Sequence, residues 1–313
     1  MGMYCFGIDV GGTSVKCGLF LTNGTLVEQW EIPTRLENNG SSILPDVADA
    51  IKTKLDERGI TKDNVDGVGI GIPGPVNENG EVPMAVNLHW GFKAVASELS
   101  ALTGLPAKAA NDANIAALGE AWKGAAEGSK NVILVTLGTG VGGGIVIDGK
   151  IYSGSNFGGA EIGHTVISVD GPQCTCGRKG CFEVYSSATG LIRMTKEALA
   201  EHPDSMMKEE EHISGRTAFN YMRKGDAAAK EVVDKYIKYL AAGITNTLNI
   251  FQPDVLCIGG GVCNEGDPLL LPMKEIVARE NYTRNSKKNA EIVIAKLGND
   301  AGIIGAAFLG NAQ

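Results

Sequence analysis

Hydrophobic residues in the N-terminal part of the chain form short runs that are separated by glycine. Tyr4–Val10 is one run, the turn Gly11-Gly12-Thr13 follows, and Val15–Phe20 is a second run. Two apolar runs joined by a glycine turn predict a β-hairpin. Val65–Ile72 alternates apolar residues with glycine, which predicts a strand with one face open to close backbone approach.

The same pattern recurs in the middle of the chain. Val132–Leu137 is an apolar run, Gly138–Gly144 supplies a glycine-rich turn, and Ile145–Ile147 resumes as a strand. We interpret this recurrence as a weak internal duplication of the N-terminal hairpin. Val255–Ile258 is a further apolar run, predicts another buried strand, and ends in three glycines.

Apolar residues at helical spacing predict five helices. They cover about Ser42–Arg58, Ala113–Lys123, Ala188–Glu201, Asp226–Phe251 and Asn299–Leu309. The longest of them, Asp226–Phe251, is expected to pack against the second sheet. The polar segment His202–Gly215 has no periodicity, so we expect an exposed loop there.

Length, charge and cysteine content narrow the classes of protein. A chain of 313 residues with 43% hydrophobic content is long for one core, so we expect two domains with a cleft. A net charge of -8 without a Lys/Arg run argues against nucleic-acid binding. The sequence has no long apolar stretch and no signal pattern, and its seven cysteines fit reduced thiols. We therefore expect a cytoplasmic protein that binds neither nucleic acid nor membranes.

Four potential metal ligands lie within eighteen residues: His164, Cys174, Cys176 and Cys181. Three thiolates and one imidazole fill a tetrahedral zinc shell, and glycines in the same loop allow it to wrap around an ion. Because such a shell has no open position, the sequence predicts a structural zinc site. Buried or disulfide-bonded cysteines are the weaker alternative, since the one-residue gap between Cys174 and Cys176 strains a direct bridge.

Two segments match G-x-G-x-x-G, at Gly69–Gly74 and Gly138–Gly143. Neither match predicts a dinucleotide site, because a strand follows the second match and Pro75 interrupts the first, so neither loop opens a helix. The chain also lacks a Walker A motif.

The two glycine turns can instead form anion nests from backbone N–H groups, and two nests can clamp one polyphosphate. Asp9 beside the first turn would add a carboxylate for Mg²⁺, and Thr13 would add a hydroxyl. Two ordinary tight hairpins are the alternative.

Six motifs occur in order along the chain: Asp9-Val-Gly-Gly-Thr13, Asn111-Asp112, Leu137-Gly-Thr-Gly-Val-Gly-Gly-Gly144, Glu161-Ile-Gly-His164, Cys174-Thr-Cys-Gly-Arg-Lys-Gly-Cys-Phe-Glu183 and Cys257-Ile-Gly-Gly-Gly261. Together they resemble the ROK family of sugar kinases and sugar-responsive repressors. The resemblance implies an α/β, actin-like ATPase (ribonuclease H-like) fold with two domains flanking a cleft. Residues 1–112 would form the first domain, with the C-terminal helix 299–313 packing back on it. Residues 113–298 would form the larger second domain with the zinc loop.

Within the family, the chain is most similar to the bacterial kinases that use ATP with Mg²⁺ to phosphorylate the 6-hydroxyl of glucose. The alternative acceptors are N-acetylmannosamine, N-acetylglucosamine, allose and fructose. One side chain in the pocket can determine whether a sugar with a particular hydroxyl is accepted. A sugar-sensing regulator is the other alternative, but the first hairpin begins by Tyr4 and leaves no room for a DNA-reading domain. The resemblance also implies a homodimer or tetramer.

The resemblance assigns roles to individual residues. Asp112 matches the general base that accepts the proton of the sugar hydroxyl, and the alternative is that it only N-caps the helix that follows. His164 would bind zinc with one ring nitrogen and the sugar with the other. The expected sugar contacts are Asn111, Glu161, His164 and Glu183, with Asn87 and Gly74-Pro75 as weaker candidates. The expected ATP-binding residues are Asp9, Gly11, Gly12, Thr13, Gly138, Thr139, Gly140, Gly260 and Gly261.

Overall fold

The first of two sheets contains the predicted N-terminal hairpin. The computed structural model describes residues 2–311. The strands of this sheet are β1 (Tyr4–Val10), β2 (Ser14–Leu21), β3 (Leu26–Pro33), β4 (Val65–Ile72) and β5 (Ala107–Asn111). Their order is β3-β2-β1-β4-β5, with β1, β4 and β5 parallel and β2 antiparallel to both neighbours. Val10 pairs with Val15 across the glycine turn, so the hairpin prediction is confirmed.

The second sheet repeats the topology of the first. Its strands are β6 (Val132–Leu137), β7 (Val141–Ile147), β8 (Lys150–Ile151), β9 (Val255–Gly259) and β10 (Glu291–Ile294). Their order is β10-β9-β6-β7-β8. If each strand number of the first sheet is raised by five, its order becomes β8-β7-β6-β9-β10. This is the order of the second sheet read from its other edge. The shared topology supports the internal duplication inferred from the sequence.

Helices connect and cover the strands. They are α1 (Glu37–Gly40), α2 (Ile43–Arg58), α3 (Val95–Thr103), α4 (Asp112–Lys123), α5 (Phe182–Ser186), α6 (Ala188–Glu201), α7 (Thr217–Arg223), α8 (Ala227–Phe251), α9 (Asp267–Glu280) and α10 (Ala301–Gly310). The five helices predicted from the sequence correspond to α2, α4, α6, α8 and α10. Among residues 2–311, no helix has both the length and the apolar character needed to span a bilayer.

The described chain divides into two compact units. The first contains the chain up to Leu134, Gly144–Ala160 and the chain from Ala295 onward, and the second contains Val135–Gly143 and Glu161–Ile294. The domain boundary at Asp112 remains a prediction, and residues 312 and 313 of the predicted C-terminal segment lie outside the described residues.

The glycines of β4 allow α10 to approach the first sheet closely. α10 packs on β1, β4 and α4 within the first unit. A Cβ atom at Gly69 would lie 1.8 Å from the carbonyl oxygen of Ala306, so any side chain at this position would collide with the α10 backbone. The strand face that the sequence predicts to be bare is therefore covered by α10. Behind the opposite face lies a core that includes the fully buried Ile8, Ile43 and Ile70.

The expectation of an exposed loop at residues 202–215 is wrong for part of the segment. Met206–Glu209 form a 3₁₀ turn, and Met207 is completely buried. The Ser205 hydroxyl donates to Asp226 Oδ2 at 2.8 Å, while Oδ1 of Asp226 accepts from Ala229 N and caps α8. Because this carboxylate also binds the loop, the segment is drawn against the helix.

Candidate active site

Asn111 determines how Asp112 is held at the start of α4. Asn111 is the N-cap, and its Oδ1 accepts from the backbone N–H of Asn114 at 3.1 Å. Its Nδ2 donates to the Gly74 carbonyl at 3.1 Å and to Asp112 Oδ1 at 3.0 Å, and the same Oδ1 accepts from Ala113 N at 2.8 Å. The alternative that Asp112 is the N-cap is therefore wrong, because Asn111 fills that position and orients the Asp112 carboxylate.

Asp112 lines an open cavity of about 530 Å³ within the first unit. Its volume is in the range typical of sites for small molecules. Gly74-Pro75 and Asn87, the weaker candidates for the sugar pocket, line the same cavity. Met84 and Val86 add exposed apolar surface to its wall. Neither residue is predicted from the sequence, although apolar residues in a segment that contains several prolines are a usable signal.

Asp9 has a carboxylate with altered acidity. Burial and the negative charge of Asp112 raise the pKa of Asp9 from 3.8 to about 6, and Lys16 opposes this shift. A Cβ atom at Gly302 would lie 2.2 Å from Asp9 Oδ2, so the carboxylate lies against the first turn of α10. Carboxylates are the ligands that Mg²⁺ prefers, and a bound cation favours the ionised form. The residues present therefore fit a magnesium ion.

The first glycine turn, Gly11–Thr13, is exposed and is held by one neighbour. Thr34 follows β3, donates its N–H to the Thr13 carbonyl at 3.0 Å, and donates its hydroxyl to the Gly11 carbonyl at 2.7 Å. A Cβ atom at Gly12 would meet no protein atom within 4 Å. No protein atom fills the side-chain position at Gly12, so this space is open to a ligand that approaches the turn.

The second glycine turn, Gly138–Gly140, is held by the beginning of α6. Ala188 N donates to the Gly138 carbonyl at 2.8 Å, and the Thr189 hydroxyl donates to the Thr139 carbonyl at 2.8 Å. This turn opens no helix of its own, as the sequence indicates, but a helix that begins fifty residues later in the sequence packs against it. A Cβ atom at Gly138, as at Gly12, would meet no protein atom within 4 Å.

The third segment predicted to bind ATP lies beside the second turn. Gly260 has a left-handed backbone with a φ of 88°, and a Cβ atom there would lie 2.5 Å from the Leu137 carbonyl oxygen. Only glycine fits this contact. Gly261 has open space at its Cβ position. The structure thus brings Gly260 next to the strand that leads into Gly138.

The four predicted zinc ligands converge. The donor atoms of His164, Cys174, Cys176 and Cys181 all lie within 4.8 Å of one another. Cys174 Sγ is 3.6 Å from His164 Nδ1, and Cys176 Sγ is 3.7 Å from Cys181 Sγ. A tetrahedral zinc ion with Zn–S bonds of about 2.3 Å requires about 3.8 Å between sulfurs and about 3.6 Å between sulfur and nitrogen. The geometry therefore fits zinc.

The arrangement of the cluster also agrees with a structural role. The seven cysteines are all free thiols, so the disulfide alternative has no support among residues 2–311. Burial raises the pKa of Cys181 to about 12, and zinc binding would displace that proton. Because Nδ1 of His164 faces the sulfurs, Nε2 is the nitrogen suited to a sugar hydroxyl.

Glu183 contacts both the predicted zinc site and the second turn. Its Oε2 accepts from Val141 N at 3.1 Å, and its Oε1 lies 3.8 Å from Cys174 Sγ. A Cβ atom at Gly140 would lie 2.1 Å from Glu183 Oε2. Only a sugar contact was predicted for Glu183, because no sequence pattern signals a hydrogen bond between residues 42 positions apart.

A cavity of about 390 Å³ in the second unit lies beside this carboxylate. Thr139, Gly140 and Glu183 line it together with Arg193 of α6. The Arg193 guanidinium donates to the Val184 carbonyl at 3.1 Å and pairs with Glu197. Arg193 was not among the predicted residues, since its helical position is typical of an exposed ion pair.

The sequence and the fold of this chain are similar to those of known proteins. The model of the ROK family matches residues 5–313. A glucokinase of Halalkalibacterium halodurans is 42% identical over 97% of this chain and 93% of its own length. A ROK family glucokinase from Streptomyces griseus, solved with glucose and AMPPNP, has 31% identity and a TM-score of 0.72 over 98% of this chain and 99% of its own.

A ROK hexokinase from Thermus thermophilus has 29% identity and a TM-score of 0.80 over 98% of each chain. These structural likenesses confirm the actin-like ATPase fold. A family match across nearly the whole chain, with the motifs in the expected order, leads to one conclusion. The chain belongs to the ROK family of proteins.

Proposed function

We propose that this chain is a glucokinase that transfers the γ-phosphoryl group of ATP to the 6-hydroxyl of glucose. The observation that carries the proposal is the Asp112 carboxylate, held by Asn111 on the wall of a cavity of about 530 Å³. The similarity of the whole chain to a glucokinase supports the choice of acceptor.

Asp112 supplies the proton transfer. The 6-hydroxyl oxygen attacks the γ-phosphorus, its proton passes to the Asp112 carboxylate, and ADP leaves with the electrons of the broken P–O bond. The contacts of Asn111 hold the carboxylate in one orientation, which lowers the entropy cost of reaching the reactive geometry.

The second unit has groups of its own that are suited to sugar hydroxyls. Glu161 and Glu183 accept hydrogen bonds from hydroxyls, and His164 Nε2 offers a further contact. The two glycine turns offer backbone N–H groups to phosphate oxygens. Mg²⁺ held near Asp9 would neutralise phosphate charge, and zinc would fix the loop that carries Glu183.

Replacing the base tests the proposal directly. We expect Asp112→Asn to lower kcat for glucose phosphorylation by about 1,000-fold, since general base catalysis contributes roughly 10²–10⁴-fold, while the melting temperature stays close to that of the wild type. Asp267→Asn is the matched control, because Asp267 is the exposed first residue of α9. Wild-type turnover in the Asp112 variant would refute the assignment of the base.

A panel of acceptors tests the substrate. Glucose should give the highest kcat/KM among glucose, N-acetylmannosamine, N-acetylglucosamine, allose and fructose. A higher value for another sugar would keep the kinase but change its acceptor. Absence of ATP-dependent phosphorylation with every sugar would favour the sugar-sensing alternative. The homodimer or tetramer and the cytoplasmic location remain predictions, and sedimentation of the purified chain tests the first.

A further inference from the structure

The backbone of Val141 contacts both motifs that are expected to bind the sugar. Val141 is the first residue of β7 and follows the second glycine turn. Its N–H donates to Glu183 Oε2 at 3.1 Å. On its other side, a Cβ atom at Gly163 would lie 2.0 Å from the Val141 carbonyl oxygen, so this contact requires glycine. One peptide segment thus touches Glu161-Ile-Gly-His164 and the residue that ends the cysteine motif.

The two residues that contact Val141, Gly163 and Glu183, lie next to ligands of the predicted zinc site. Gly163 immediately precedes His164, whose Nδ1 is 3.6 Å from Cys174 Sγ. The Glu183 carboxylate reaches the same sulfur with its Oε1, at 3.8 Å. The Phe182 N–H, next to Glu183, donates to the Thr165 carbonyl at 2.7 Å. Val141 therefore lies against groups that are themselves held by further contacts.

The negative charge of Glu183, which lies beside the Val141 N–H, affects nucleotide binding at the neighbouring turn. A carboxylate at the Val141 N–H occupies the backbone donor that directly follows the turn, and its charge repels phosphate oxygens nearby. Sugar hydroxyls that donate to Glu183 withdraw part of that negative charge and fix the side chain. Both effects favour nucleotide binding when sugar is present.

We propose that Val141 is a positioning residue through which sugar bound at Glu183 strengthens nucleotide binding at the turn Gly138–Gly140. The inference rests on the proposed function, because it uses Glu183 as a sugar contact. The coupling is reciprocal, so nucleotide also strengthens sugar binding by the same factor.

Calorimetry on the zinc-loaded protein tests the coupling. The dissociation constant of AMPPNP with Mg²⁺ is measured without glucose and with saturating glucose. We expect glucose to tighten wild-type binding about tenfold, within the usual range of coupling between sites. Glu183→Ala should reduce this factor to nearly one even when glucose is raised to saturation. Glu183→Gln retains an acceptor for the Val141 N–H and should give an intermediate factor.

A control and a second readout separate this coupling from a general loss of structure. Glu201→Ala removes an exposed carboxylate from the last residue of α6 and should retain the tenfold factor. Hydrogen exchange of the Val141 amide, measured by NMR without substrates, should be about tenfold faster in Glu183→Ala than in the wild type, because the amide loses its acceptor. This readout does not depend on catalysis.

The possible failures are distinguishable. A wild type that phosphorylates glucose but binds AMPPNP equally well with and without glucose would overturn the coupling and leave the proposed function intact. A Glu183→Ala variant that retains the wild-type factor would also overturn it. A wild type that phosphorylates no glucose would refute the proposed function itself, and with it the inference.

Discussion

The two glycine turns have similar sequences and each joins two neighbouring strands of a sheet, but the protein supports them differently. The first turn, Gly11–Thr13, is held by Thr34, which lies about twenty residues away and directly follows β3 of the same sheet. The second, Gly138–Gly140, is held by Ala188 and Thr189 of α6, and Glu183 binds the residue that follows it. The first turn therefore depends on a residue at the end of its own sheet, whereas the second depends on the start of α6 and on Glu183, which is expected to bind sugar.

This difference suggests a division of roles between two copies of one topology. A turn supported only by its sheet keeps the same conformation whether or not substrate is present. A turn supported by substrate-binding groups can respond to the substrate. Duplication of a hairpin thus provides similar phosphate-binding loops, and the surrounding residues decide which of them is coupled to the sugar.

Among the changes that compare the two turns, removal of zinc should have the largest effect and should separate them. We expect Cys176→Ser to lower turnover by about 100-fold, as loss of support around metal sites does. Exchange of the Val141 amide should accelerate, while exchange of the Thr34 amide, which donates to the first turn, should stay unchanged. Metal analysis should find about one zinc in the wild type and in the control Thr175→Ser. A metal-free variant with full activity would contradict the dependence on zinc.

Replacing Asp9 should be the next largest change and should act beside the first turn only. Loss of a charged Mg²⁺ contact predicts that Asp9→Asn raises KM for MgATP about tenfold. The same variant should be more stable than the wild type at pH 8 without ligands, by about 2 kcal/mol, because ionised Asp9 is unfavourable in its buried position.

The sign of this effect follows from the direction of the pKa shift. The pKa of Asp9 is about 6 in the folded protein and 3.8 ordinarily. Folding therefore takes up a proton between these values, and stability falls as the pH rises through this window. The advantage of the Asn variant should disappear below about pH 4. Urea unfolding at pH 4, 5 and 8 measures it, and an equal advantage at all three values would contradict the assignment.

Alanine substitutions at glycines should have a smaller effect and should compare the two turns directly. Gly12→Ala and Gly138→Ala place a methyl group where no protein atom is present, so KM for ATP should rise about fivefold with little change in the melting temperature. Gly140→Ala should also lower stability, because its Cβ atom would meet Glu183 Oε2. Thermal unfolding and steady-state kinetics distinguish these results. If all three changes lowered the melting temperature equally, the fold rather than a bound ligand would require glycine at each position.

Removing the support of the first turn should have the smallest effect. Thr34→Val loses the hydroxyl that donates to the Gly11 carbonyl but keeps the backbone N–H bond to Thr13. One hydrogen bond at an exposed site predicts a loss of about 1 kcal/mol in the free energy of unfolding. KM for ATP should change by less than about twofold. A larger change in KM would mean that the first turn is as dependent on its neighbours as the second.

Sequence patterns predict the central strands better than the edge strands. β1, β4 and β6 are buried apolar runs, and their periodicity is visible. β5 and β10 lie at the edges of the two sheets and have half-exposed side chains, so neither was predicted. A strand with one neighbour buries less apolar surface, and its pattern resembles that of a loop.

The residues of the candidate site also fall into those that the sequence predicts and those that it does not. The ligands of the zinc site and Asp112 were predicted because their motifs join residues close in sequence. The contacts of Thr34, Thr189 and Arg193 were missed, since each depends on tertiary packing between distant segments. Asn111 was predicted as a sugar contact, but its amide also caps α4 and holds Asp112, a double use that only the structure reveals.

The open space at Gly12 and Gly138 has a consequence for how the sequence can vary under selection. Folding requires glycine at Gly69, where a side chain would collide with α10, but nothing in the protein requires it at Gly12 or Gly138. A mutant library selected only for abundance in the cell should therefore keep Gly69 and accept alanine at the two turn positions. The same library selected for growth on the substrate should keep all three. Comparing the two selections would reveal which glycines the ligand, rather than the fold, maintains.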